Sequence, residues 1–275
     1  MLPVGISTCG KDPSVELFSS FAGAGVSFAE LSPEQDGYDC LDYLSAAKAA
    51  KESGVKLWSF HLQFMPFELI DVSSLDREKR AFSVSRLCEQ IKRAAGIGIN
   101  KFILHASAEP IPDNERHERL ENAKESVFSL SEIARENGGM LCVEDLPRTC
   151  LGRDSKEIKE LISVSPDVGV CFDTNHLLAE RPESFIEALG KRIVTLHVSD
   201  YDLIDEKHWL PGEGKIDWRS LYSSLLLSGY NGVWMYELGF GQKKSMPRSR
   251  NLVPADFRLN AEEIFSGVYP LTRVL

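Results

Sequence analysis

With 275 residues, 43% of them hydrophobic, the chain can bury a large core without a disulfide or metal staple, and its length suits one α/β barrel. A formal net charge of −10 argues against general nucleic-acid binding and against attraction to anionic membranes. No run approaches the ~18 apolar residues of a transmembrane helix. The opening MLPVGISTCG lacks a basic n-region and reads as a first strand, not a signal peptide. None of the cysteines (Cys9, Cys40, Cys88, Cys142, Cys150, Cys171) forms a CxxC pair, and three of them sit in or beside apolar runs. That is the usage expected of a reduced, cytoplasmic protein.

The first strand is expected over 3–9, followed by a short helix over 14–22. Further strand–helix pairs are expected over 25–31 and 41–54, 56–62 and 75–96, 101–107 and 114–138, and 140–145 and 155–164. The last three pairs are 168–173 and 182–189, 192–200 and 217–228, and 232–238 and 255–266. Runs such as FIL, VGVCF and VWMY are apolar throughout, as in strands covered on both faces. The two longest helices carry apolar residues at three- and four-residue spacing. Gly54, Gly96 and Gly138 fall where C-terminal caps belong. This alternation predicts parallel strands, right-handed crossovers and a closed (β/α)8 TIM barrel. The rival open sheet lacks a GxGxxG opening a helix. No linker-like stretch divides the chain, which reads as a single domain over 1–275.

Titratable residues gather at the strand C-termini: His61, His105, Glu144, Asp173 with His176, His197, and Glu237, with Glu206 and His208 in the loop after strand seven. In a barrel these ends share one mouth, where barrel active sites lie. Of the six histidines only His117 falls within a helix. A lone strand histidine is more often structural; five converging on one face point to a site. Glu144, Asp173 and Glu237 in one low-dielectric mouth would repel unless their pKa values rise or a cation neutralises them. Carboxylate oxygen with imidazole nitrogen suits Mn²⁺, Zn²⁺, Co²⁺, Fe²⁺ or Mg²⁺. The competing reading pairs Glu144 and Glu237 with arginines such as Arg148 or Arg153. Trp209 is the best candidate for a wall of the pocket, whereas Trp218 and Trp234 read as core. Asp200 and Asp202 either support His197 or cap the following loop. The basic run 241-GQKKSMPRSR-250 either grips a phosphate or is a solvated loop.

The segments HLQF (61–64), LHAS (104–107), VEDLPR (143–148), CFDTNHLL (171–178), LHVSDYD (196–202), HWLPGEGKIDW (208–218) and YELG (236–239) resemble those of the xylose-isomerase-like TIM-barrel superfamily, especially its sugar-phosphate isomerase/epimerase type. The resemblance covers essentially the whole chain. It implies a divalent metal held by Glu144, Asp173, His197 and Glu237, with Glu144 and Glu237 also the catalytic acid/base pair. It implies substrate contacts from His176, with Trp209 and Arg148 as further candidates. The chain also resembles the more distant endonuclease IV, which binds three zinc ions. That pattern adds His61, His105, His176, Glu206 and His208 as donors for further metal or for substrate, with Glu206 standing where an aspartate is usual.

The resemblance implies a metal-dependent sugar or sugar-phosphate isomerase/epimerase working through an enediolate, with one metal and room for up to three. The alternatives are an endonuclease IV-like multi-zinc phosphodiester hydrolase, a dehydratase of cyclic polyols such as an inosose, and a non-catalytic sugar-binding barrel. The expected partner is a small sugar or sugar phosphate, not nucleic acid or membrane. A homo-oligomer is in keeping with the look-alikes.

Overall fold

The structure, a computed structural model, describes residues 1–274. Eight parallel strands alternate with helices: β1 (Val4–Ser7), β2 (Phe28–Leu31), β3 (Lys56–His61), β4 (Lys101–Leu104), β5 (Met140–Glu144), β6 (Gly169–Asp173), β7 (Ile193–His197) and β8 (Trp234–Tyr236). They form one sheet in the order β7-β6-β5-β4-β3-β2-β1-β8. Its ends meet through a parallel bridge between Val198 and Tyr236, giving the (β/α)8 barrel. The helices are α1 (Val15–Gly23), α2 (Gly37–Cys40), α3 (Tyr43–Glu52), α4 (Arg77–Gly96), α5 (Arg116–Glu136), α6 (Ser155–Ile162), α7 (Pro182–Leu189), α8 (Trp218–Leu227) and α9 (Pro254–Ser266).

Helix starts follow from capping chemistry. Ser14, Asp42, Asp76, Asp154 and Asp217 each accept a backbone N–H of the first turn, so the helices begin just after them. The single turn α2 had no signal in the periodicity. Gly54 and Gly138 lie past their helices with φ of 74° each, as expected for caps. The expectation for Gly96 needs correction: it is the last residue of α4, and Gly98, with φ of 89°, takes the left-handed position.

Side-chain alternation along the strands places the site. Outward residues such as Phe60, Phe102, Leu141, Val143, Phe172 and Leu196 pack under the helices in the main core. A separate cluster of Ile103, Cys142 and Cys171 fills the barrel interior. Two residues beyond each of these, on the same face, come His105, Glu144 and Asp173. Strand β3 reaches this phase through an irregularity: Ala29 pairs with Leu57 but Glu30 with Ser59, so Trp58 is an extra residue. Trp58 Nε1 reaches 3.1 Å across to Thr195 Oγ1, closing the lower barrel.

Candidate active site

At the C-terminal mouth the polar strand ends converge on His197, which is fully buried. Its Nδ1 lies 2.8 Å from Glu144 Oε1 and 3.2 Å from Glu237 Oε2; its Nε2 lies 3.0 Å from Glu30 Oε2. His61 Nε2 is 3.4 Å from Glu144 Oε2 and 3.9 Å from Glu237 Oε1. His105 Nε2 is 3.1 Å from Glu144 Oε2. His176 Nδ1 meets the Asp145 carbonyl at 2.8 Å and lies 3.8 Å from both Glu144 Oε1 and Asp173 Oδ2. Donor atoms of Glu144, Asp173, His197 and Glu237 all fall within 4.8 Å of one another, as do those of His61, His105 and Glu144.

The electrostatics are those of anions packed without enough counter-charge. Burial pushes Glu144 up, but His197 and His105 outweigh it and hold the carboxyl well below its usual range. Asp173 goes the other way: burial, then Glu237 and Glu144, raise it well above the usual carboxylate range. Burial opposes protonation of His61, yet Glu144, Glu237 and Glu30 bring it up to about 9. His197 is raised in the same manner, well above the usual imidazole value, against its burial. Asp173 Oδ2 is buried without a hydrogen-bond partner, and the buried Glu144 Oε2 is met by the ring nitrogens of His105 and His61 at 3.1 and 3.4 Å. Buried carboxyl oxygens beside imidazole nitrogens fit a divalent cation, which both could ligate.

A cavity of about 750 Å³ opens above this floor. Glu144, Glu237, His61, His105, His176 and His208 face it, with an apolar wall that includes Tyr38, Phe64 and Leu146. Asp173 and His197 lie beneath, fully buried. The loop bearing Glu206 and His208 is pinned by Asn175 Oδ1, which accepts the backbone N–H groups of Lys207 and His208 at 2.9 and 3.1 Å. Glu206 Oε1 is 3.7 Å from His208 Nε2. Burial raises the Glu206 carboxyl, but His208, His176 and Arg148 bring it down to about 2.

Several residues sit elsewhere than the sequence suggested. Trp209 is buried behind the wall, not in it; its indole N–H donates to Ser245 Oγ at 3.1 Å because residue 209 pairs back onto Asp200. Arg148 does not reach Glu144. It binds Glu109 at 2.7 Å, Asp205 at 2.8 Å and Glu206 at 3.0 Å, and Arg153 lies 4.0 Å from Glu157. The arginine pairing of Glu144 and Glu237 is therefore replaced by histidines. Asp200 organises its loop and not His197: its carboxylate accepts from the Gly212, Gly214 and Ile216 amides and the Trp218 indole. A Cβ on Gly214 would stand 2.3 Å from Asp200 Oδ1, so only glycine fits. The partner of His197 is Glu30, which sequence reasoning missed. Its signal was available: FAEL ends a strand in a glutamate as YEL does. His117 is exposed on α5 and does not line the cavity.

A parallel eight-stranded barrel with its ionisable residues gathered at the C-terminal mouth defines a TIM-barrel protein whose polar cluster lies where the active sites of such barrels are found. The profile of the xylose isomerase-like TIM barrel family matches residues 19–252, and the chain belongs to that family. It is 31% identical over 150 residues to a fructoselysine 3-epimerase of Shigella flexneri, covering 49% of this chain and 54% of that one. A probable endonuclease 4 of Mycoplasmoides gallisepticum is 25% identical over 228 residues, 74% of this chain and 71% of that one. The chain spans between 44% and 71% of the length of the curated relatives it matches. Among solved structures, a D-tagatose 3-epimerase-like protein superposes with a TM-score of 0.80 at 21% identity, over 98% of both chains. No described helix is long and apolar enough to cross a membrane.

Proposed function

We propose that the protein is a divalent-metal-dependent isomerase or epimerase of a sugar or sugar derivative, acting by proton transfer through an enediolate. The observation that carries this reading is the meeting of Glu144, Asp173, His197 and Glu237 donors on the floor of a sugar-sized cavity. These four residues would hold the ion. When bound, it supplies positive charge that offsets the carboxylates and the charge developing on the substrate oxygens.

The chain's own groups handle the proton. Glu144 and Glu237 both face the cavity and both lie within reach of His61 and His197. One takes the proton from the carbon beside the carbonyl, and the electron pair moves onto the carbonyl oxygen. The other returns a proton, to the opposite face in an epimerisation, or to the former carbonyl carbon in an isomerisation, where the proton of the neighbouring hydroxyl passes to the former carbonyl oxygen. Tyr38, Phe64 and Leu146 help keep out water that would compete for the intermediate. The named activity of one relative, fructoselysine 3-epimerase, accords with this chemistry.

The test is solvent deuterium exchange into ketohexoses followed by NMR. Glu237→Gln preserves shape but removes the base, and exchange should fall about 10²–10⁴-fold. Wild-type exchange in that variant would take Glu237 out of the acid/base role.

A second reading has its own observation. His61, His105, His176, Glu206 and His208 extend the donor set around the same floor, as a multi-zinc phosphodiester hydrolase would need. Cleavage of abasic duplex DNA by the zinc-loaded protein, without exchange into any sugar, would favour it.

A further inference from the structure

Glu30 faces the barrel interior from β2, yet it neither lines the cavity nor belongs to either donor cluster on the floor. Register explains its surroundings. Glu30 pairs with Ser7 of β1 and with Ser59 of β3. The extra residue at Trp58 is what sets a small hydroxyl, and not an indole, opposite the carboxylate. Glu30 is fully buried. Its Oε2 accepts from Ser59 Oγ at 2.7 Å and lies 3.0 Å from His197 Nε2. His197 is its one ion-pair partner among the described residues, and its Oε1 has no hydrogen-bond partner. A carboxylate so placed is a poor source of stability, because an apolar side chain of similar volume would fill the position without the cost of burying charge. Its use is therefore sought in what it does to His197.

Glu30 Oε2 already accepts the Ser59 hydroxyl, and an ionised carboxylate has no proton to give. The bond to His197 is therefore donated by the ring, from Nε2. A neutral imidazole with its proton on Nε2 has its lone pair on Nδ1. That nitrogen points at the floor, 2.8 Å from Glu144 Oε1 and 3.2 Å from Glu237 Oε2. From this we infer that Glu30 is a positioning residue for the cation site. It holds the His197 proton at Nε2, aims Nδ1 between the two glutamates, and adds negative charge behind the ring that makes Nδ1 a stronger donor. Glu30 acts through His197 and does not touch the sugar. The inference rests on the metal-dependent reading and names a residue outside the four proposed to hold the ion.

The experiment has two arms on the full chain. In the first, Zn²⁺ affinity is measured by competition with a chelating indicator for the wild type, Glu30→Gln and Glu30→Leu. Glutamine keeps the shape and an acceptor oxygen but removes the charge; leucine removes both. Kd should rise about tenfold in the glutamine variant and about 100-fold in the leucine variant. Circular dichroism of each variant checks that the barrel is intact. The second arm needs no variant: nitrogen-15 NMR of the zinc-loaded wild type should find the His197 ring proton on Nε2, hydrogen-bonded and slow to exchange with water. Wild-type affinity in both folded variants, or a ring proton on Nδ1, overturns the inference and leaves the metal-dependent reading intact. Weakening in the leucine variant alone overturns the part assigned to charge. A wild type that takes up no Zn²⁺ sinks the metal-dependent reading, and this inference with it.

Discussion

His61 shows how one side chain couples the site to stability. Its raised pKa, about 9 against an ordinary value of 6.5, means that the folded metal-free protein binds its proton more tightly than the unfolded chain does. That contribution is full below about pH 6.5 and is lost as pH rises through about 9. Glu144 has the opposite sign: its lowered pKa contributes above the ordinary value of 4.5 and is lost as pH falls. Thermal melts of chelator-treated protein should therefore show Tm falling between pH 6.5 and 9, and saturating Zn²⁺ should flatten the decline. A metal-free Tm that rises over that interval would contradict the assigned charge states. At this scale the site was largely legible, because a charged residue ending an apolar strand announces itself. Glu30 carried the same signal. Trp209 and Arg148 could not be read, since their directions depend on partners 36, 39 and 57 residues away in other loops.

At the scale of elements, the loops after β7 and β8 are locked together by the buried Arg248–Glu213 pair. Removing one partner leaves an uncompensated buried charge. Arg248→Ala should cost about 3–5 kcal/mol by urea unfolding, whereas Glu213→Met with Arg248→Met should recover most of that loss. If Arg248→Ala melts like the wild type, the pair does not hold the loops. The strands were visible as apolar runs, but several ladders end short of the expected limits. Residues such as Val198–Asp200 continue the extended chain into the mouth on bonds to β8, to the Thr174 hydroxyl and to Trp209 instead of a strand ladder, which composition does not reveal. The bulge at Trp58 was equally hidden, since it depends on register with β2.

For the whole molecule, the alternation of apolar runs with amphipathic helices was enough to indicate a barrel, because short crossovers leave few other topologies. The ion count was not legible, since ligand spheres overlap on Glu144. One bound ion per chain is expected by elemental analysis. Its removal should destabilise the protein by about 2.7 kcal/mol relative to free metal at 100-fold its Kd, a Tm loss of about 5–10 °C. Unaltered melting after complete chelation would exclude a resident ion. The closure of the barrel gives such an ion a mechanical meaning. Among the described residues the sheet joins its two ends around Val198, through its contacts with Met235, Tyr236 and Glu237. His197 stands on one side of that seam and Glu237 on the other. A cation gripped by both would rivet the cylinder where it is most easily unzipped, so amide exchange along β8 should slow on metal uptake before any sugar arrives.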